Sequence, residues 1–130
     1  MQIESLPKKT EYINFKLGGS VFAVNVEAAS DIVELVRLSK LPVQLREIAG
    51  IFLKDGLVTV AIDLAQFYGL SDYEISDKMV IIIKWQEQQY GLVIDSIVNI
   101  GSLIQEARLV NLEEIFRKIE QGLVVDSLRD

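Results

Sequence analysis

Three times in its first hundred residues the chain runs an apolar stretch into a turn signal and straight back out, and that rhythm restricts what it can fold into. Ile13, Phe15 and Leu17 alternate with Asn14 and Lys16, Gly18-Gly19 interrupts, and Phe22, Val24 and Val26 resume the alternation. A period of two is the mark of a strand with one buried face, and paired glycines supply the positive φ angles that a tight two-residue turn demands. A second hairpin is predicted from Ile51-Phe52-Leu53 and Leu57 to Ile62 around Lys54-Asp55-Gly56. Its return strand is apolar on both faces, as a strand covered on two sides should be. A third spans Met79 to Trp85 and Gln89 to Val98 around Glu87-Gln88, rich in β-branched residues. Hairpins at this density predict a mainly β chain that closes its own edges as a small barrel or pair of barrels.

Helical signals are brief. Ala28, Ala29, Ile32, Val33 and Leu35 fit one face of a 3.6-residue period, predicting a short helix between Glu27 and Leu35. Val43 to Ile48 allows one or two further turns after Pro42. Asp63 reads as the N-cap of a single turn ending at Gly69. Asn111-Leu112-Glu113-Glu114 fits a capping box, and Leu112, Ile115, Phe116 and Ile119 fit a helical face over 112–119. Gly91-Leu92-Val93-Ile94-Asp95-Ser96-Ile97 then returns almost letter for letter as Gly122-Leu123-Val124-Val125-Asp126-Ser127-Leu128, and Gly56-Leu57-Val58 opens a similar run ending at Asp63. A turn glycine before a buried strand and an Asp at its exit account for the echo without duplication.

Composition removes chemistry. The 130 residues include no Cys and no His, so disulfides, thiolate nucleophiles, imidazole acid-base steps and ordinary zinc sites are not available. Lys and Arg number 13 against 19 acids, a net charge of −6 that repels phosphate backbones and anionic lipid heads. Nucleic acid and membrane insertion are therefore not expected. The longest compact apolar run, Met79 to Ile83, is far short of the roughly 18 residues of a membrane span. A cytoplasmic chain is expected, with residues 1–10 as a flexible lead-in and 11–130 as a single domain.

Few constellations invite chemistry. Asp63 and Asp95 at strand exits would serve an acid-base pair only if they converged, and strand-exit Asp is more often a cap. Asp72 to Asp77 lacks the central Gly and terminal Glu of a calcium loop, and Gly18-Gly19-Ser20 lacks the Lys and helix of a phosphate loop. Trp85 reads as core or rim packing, with a contact anchor as the alternative. No catalytic residue, metal site or cofactor is predicted.

The order of features resembles the CheW family of bacterial chemotaxis adaptors. Tyr12-Ile13-Asn14-Phe15-Lys16-Leu17-Gly18 is similar to the family's opening aromatic-x-x-Phe-x-Leu-Gly strand, and Ala29-Ser30-Asp31-Ile32 to its Val-x-Glu-Ile. Pro42 stands where the family has an Ile/Val-Pro pair. Gly50-Ile51-Phe52-Leu53-Lys54-Asp55-Gly56, followed by Val58 to Leu64, answers the family's Gly-Val-Ile-Asn-Leu-Arg-Gly, strand and Asp-Leu. Phe67-Tyr68-Gly69, Met79 to Ile83 and Tyr90 to Ile97 continue the match from about Glu11 to about Leu103. Two departures stand out: the family's Arg is Asp55 here, and its Asn is Leu53.

The resemblance implies two intertwined SH3-like five-stranded β-barrel subdomains with a few short helices. It also implies that Gly122 to Leu128 is a closing strand with Phe116 to Ile119 as hairpin partner, against the local helical signal. The implied function is a non-catalytic adaptor that binds the regulatory domain of a CheA-type histidine kinase and the cytoplasmic tip of chemoreceptors. Partner-binding positions carried over are Ala29, Asp31, Ile32, Ala49, Gly50, Asp55 and Gly56. Two alternatives remain: a divergent adaptor of a non-chemotactic pathway such as surface motility, and a small carboxylate-dependent enzyme using Asp63 and Asp95.

Overall fold

The computed structural model describes residues 9–42, 45–70 and 78–128. Among these residues nine strands form two sheets. Strands β1 (Tyr12–Leu17), β2 (Ser20–Asn25), β8 (Ser96–Gly101) and β9 (Arg108–Leu109) make a four-stranded sheet in the order β8-β1-β2-β9. Strands β3 (Ala29–Glu34), β4 (Ile48–Lys54), β5 (Leu57–Asp63), β6 (Met79–Trp85) and β7 (Gln88–Ile94) make a five-stranded sheet in the order β3-β6-β7-β5-β4. A single turn, α1 (Leu64–Phe67), follows β5, and α2 (Leu112–Leu128) is the last described element.

The larger sheet is rolled. Laid flat, its edge strands β3 and β4 would stand about 19 Å apart, four strand spacings. Instead Lys54 at the end of β4 reaches Asp31 on β3 at 3.0 Å, and Ser39, downstream of β3, forms a backbone bridge with Ile51 of β4. That bridge is the only backbone pairing across the seam among the described residues, so the ladder stops short of closure. The mainly β architecture matches the expectation from hairpin density, while the strand ladders of the described residues form two sheets without a closed barrel.

Rolling creates two cores from one sheet. Phe52, Ala61, Val80, Ile82 and Val93 fill its inside, with Val33, Leu35, Leu38 and Ala49 packed against them. Its outer face, carrying Val60, Ile62, Ile81, Ile83, Tyr90 and Leu92, packs on Ile13, Phe15, Leu17, Phe22 and Val24 of the smaller sheet and on Ile115, Phe116 and Ile119 of α2. A β-carbon on Gly91 would lie 2.5 Å from Val80 Cγ1, which is why a strand buried on both faces carries a glycine at its centre. Asp95 pins the junction between the sheets: Oδ2 accepts from the Gly18 N–H at 3.0 Å and Oδ1 pairs with Lys78 at 2.7 Å.

The first two hairpins form where expected. Gly18 and Gly19 in one turn, and Asp55 and Gly56 in the other, all take positive φ, the requirement of a type I′ turn. Asn14, polar in the alternation, is nevertheless fully buried. Its amide donates to Asn99 Oδ1 and the Ser102 carbonyl and accepts from the Ile104 N–H, so it ties down the loop that covers β1.

Several local expectations are corrected. The helix predicted between Glu27 and Leu35 is a three-residue 3-10 turn, Val26–Ala28, followed by β3. The same apolar residues satisfy a strand, because a bulge between Ala29 and Asp31 sets Ile32 on the inter-sheet core and Val33 and Leu35 inside the roll. Of the one or two turns predicted over 43–48, residues 43–44 lie outside the described residues, one turn is closed by the Ile48 N–H on the Leu45 carbonyl at 3.1 Å, and Ile48 already opens β4. The third hairpin turns at Gln86–Glu87, and its second arm ends at Ile94. Beyond the bend at Asp95 the chain joins the other sheet as β8. The acidic run 71–77 lies outside the described residues.

The C-terminal helix begins where the capping signal places it, with Asn111 Oδ1 accepting the Glu114 N–H at 3.1 Å, but it continues to Leu128. The closing strand and the hairpin of Phe116 to Ile119 are therefore not formed. Phe116 is buried face to face on Tyr90, ring centroids 4.4 Å apart, and this anchorage holds the segment helical. Trp85 is rim packing: it lies against Phe116 and donates its indole N–H to Glu120 at 3.0 Å.

Candidate functional site

Asp31 on β3 and Lys54 at the end of β4 are 23 residues apart in sequence and at opposite edges of a five-stranded ladder, yet one ammonium joins them. Lys54 Nζ lies 2.7 Å from Asp55 Oδ2 and 3.0 Å from Asp31 Oδ2. Asp31 also takes the Ile32 N–H on Oδ1 at 2.8 Å. The Lys54 hydrogen bond, backed by that N–H, holds the Asp31 carboxyl below its usual range, while Asp55 first and Asp31 second push the Lys54 ammonium upward. The triad sits at the surface, where water and salt screen it, so it is a clip that orients groups more than a source of stability.

The turn beneath Lys54 is held from inside. Gln89, buried, donates to Thr59 Oγ1 at 2.7 Å and to the Lys54 carbonyl at 3.2 Å, and Thr59 is itself fully buried. The hairpin tip then carries apolar residues into solvent. Leu53 is 70% exposed and its cross-strand neighbour Val58 53%, with Leu57 beside them and Val36 facing them from beyond β3. The return strand is thus buried on both faces only from Thr59 onward.

The seven positions carried over by resemblance divide into two groups. Ala29, Asp31 and Ile32 lie on β3, and Ala49 and Gly50 on β4 at a bulge, with Gly50 so close to the chain at Ser39 that a β-carbon would meet its carbonyl at 2.6 Å. Asp55 and Gly56 form the turn. Lys54 brings Asp31 and Asp55 together. Ile32 packs on the inter-sheet core and Ala49 on the interior one, so these two act through packing. Sequence reasoning missed Lys54, whose signal was a cation one residue before Asp55, and it missed the exposed Leu53, Val58 and Val36, which no local pattern separates from buried neighbours.

Asp63 and Asp95 are each engaged locally. Asp63 caps α1 by accepting the Gln66 N–H at 3.2 Å, and Asp95 is held by Lys78 and Gly18. Among the described residues no group of acids is placed to hold a metal ion, and no helix is long and apolar enough to cross a membrane.

Comparison with known proteins agrees with this architecture. The sequence profile of the CheW-like domain matches residues 11–124. A chemotaxis protein CheW of Thermotoga maritima is 21% identical over 118 residues, covering 90% of this chain and 78% of that protein. The crystal structure of the scaffolding protein TtCheW from Thermoanaerobacter tengcongensis superposes with a TM-score of 0.70 at 21% identity, covering 81% of this chain and 69% of the other. With residues 11–124 matched, the chain belongs to the CheW-like domain family.

Proposed function

We propose that this chain is a cytoplasmic chemotaxis adaptor that couples chemoreceptors to a CheA-type histidine kinase through protein contacts alone. The contacts would be made by Ala29, Asp31, Asp55 and Gly56, with Ile32, Ala49 and Gly50 shaping that face through packing, within one domain of two subdomains over 11–130. The observation that carries this reading is the Asp31–Lys54–Asp55 clip beside exposed Leu53 and Val58. Charged groups next to desolvatable apolar surface are what a protein interface needs. The family match and the chemotaxis protein of Thermotoga maritima support the pathway. Calorimetric titration against the regulatory domain of a CheA-type kinase from the same cell tests it: saturable one-to-one binding is expected, and no heat at several temperatures would overturn it.

Asp55 favours a second reading. Where the family has Arg, this surface presents a carboxylate that is 78% exposed, with the compensating cation at Lys54 turned between two acids. A partner evolved for Arg would meet the wrong sign, as in an adaptor serving a non-chemotactic kinase such as one for surface motility. Tighter binding of Asp55→Arg to a conventional receptor tip is expected if charge is the obstacle.

A further inference from the structure

The rolled sheet has a seam whose lips are β4 on one side and β3 with its continuation on the other. Among the described residues two polar contacts cross it: the Ser39–Ile51 backbone pair, with N···O distances of 2.9 and 2.7 Å, and the Lys54–Asp31 ion pair. Between these the lips part. Carrying the antiparallel Ser39–Ile51 register two residues further would set Arg37 against Leu53, but no backbone hydrogen bond joins them.

The pairing phase of β4 decides what is left in the gap. A two-residue turn at Asp55–Gly56 makes Lys54 and Leu57 the hydrogen-bonded pair that closes the hairpin. Alternation then points the backbone groups of Phe52 at β5 and those of Ile51 and Leu53 at the seam. Ser39 takes those of Ile51. The N–H and C=O of Leu53 face an open wedge of about 290 Å³, lined by Val36, Arg37, Leu53 and Val58 among others. Leu53 is also the most exposed large apolar residue among those described. An edge with free backbone groups beside apolar surface is a template for another strand, whereas a helix satisfies its own backbone and would leave Leu53 unpaired.

We propose that this seam is a strand-addition site, taking an extended segment of a protein partner antiparallel to β4. The segment pairs its backbone with Leu53 and puts an apolar side chain into the wedge. Ser39 blocks the lower end, so the segment enters from the turn, where Asp55 and Asp31 stand and where the solvent-screened Lys54–Asp31 ion pair is the contact that parts to admit it. Lys54 occupies Oδ2 of Asp55, leaving Oδ1 without a partner among the described residues. Charge complementarity therefore selects a Lys or Arg two residues before the apolar residue, since in an antiparallel pair the earlier residues lie toward the turn. The inference rests on this face being a docking surface and adds the conformation and charge of what docks.

The test is an NMR titration of the isotopically labelled full chain with a blocked hexapeptide, Ser-Lys-Thr-Val-Thr-Ser. Two controls go beside it: the same peptide with Glu for Lys, and one N-methylated at Val. Saturable shifts centred on the Leu53 amide are expected, with slowed exchange of that amide. Binding should weaken about fivefold to tenfold with the Glu peptide, the size of a screened ion pair reversed. It should be lost with the methylated peptide. Leu53→Lys, at a solvent-facing position that leaves folding intact, should remove the shifts. Equal binding by all three peptides, or no response at Leu53, would overturn the proposal. A kinase domain that binds in calorimetry while the peptide leaves Leu53 untouched would overturn this inference alone. A peptide that shifts Leu53 without any kinase-domain binding would overturn the kinase reading alone.

Discussion

Gly91 to Ile97 and Gly122 to Leu128 are nearly the same seven residues, and they take opposite structures. The first forms most of β7, with Gly91 paired to Ala61 on one side and Ile82 on the other, then bends at Asp95 into β8. The second is the end of α2. Intrinsic preference is worth less than about 1 kcal/mol per residue in either state, so it decides neither. What differs is the chain already in place. Gly91 enters a slot between two strands that need a third, whereas Gly122 follows ten residues of helix anchored by Ile115, Phe116 and Ile119. Extending an existing helix adds one hydrogen bond per residue fixed, while starting a new strand needs an edge to pair with.

The comparison can be broken most severely at the anchor. Phe116→Ala removes the ring stacked on Tyr90 and should cost about 3–5 kcal/mol in chemical denaturation, with loss of helical circular dichroism. A variant that keeps its helix signal would mean that α2 holds itself. Gly91→Ala comes next. Its methyl meets Val80, a branched side chain with little rotameric freedom, and Phe52 at 3.4 Å, so overpacking should cost about 1–3 kcal/mol. At the equivalent position of the echo, Gly122→Ala meets only the end of the Leu45 side chain, which can turn aside. The helix gains by losing a glycine, and stability should stay within about 1 kcal/mol of the parent chain or rise. If both glycines respond alike, packing does not distinguish the two segments.

The smallest effect is at the clip. The Asp31 carboxyl titrates below its ordinary value of 3.8, so whatever it contributes is present above that pH and lost as pH falls through the lower folded value. An NMR titration should show that midpoint returning toward 3.8 in Lys54→Ala, with little change in melting temperature. An unchanged midpoint would mean that Lys54 does not govern Asp31. The contrast with Asp95 is instructive. Asp95 and Lys78 lie half-buried at a junction of two sheets, whereas Asp31 and Asp55 stand exposed at the surface.

Period-two patterns and turn pairs made the hairpins legible, because a type I′ turn and a half-buried strand each leave a local mark: Gly18-Gly19 and Asp55-Gly56 could be read without the rest of the chain. The stretch around Ile32 and Val33 could not, since five apolar residues fit a helical face and a bulged strand equally, and only pairing with β6 separates them. Of the site, Asp31 and Asp55 were legible through family resemblance. Lys54 was not, because its role depends on the sheet curling until opposite edges meet.

The sequence by itself determined a mainly β chain without thiol or imidazole chemistry, its first two hairpin turns, the cap of its last helix and its family. Those follow from local sterics, side-chain inventory and ordered motifs. The tertiary structure alone decided that one heptad became strand and its echo helix, that the larger sheet rolled into two cores, and that its seam stayed open at Leu53. Each of these depends on surfaces that residues far apart in the chain supply, and no local pattern carries them.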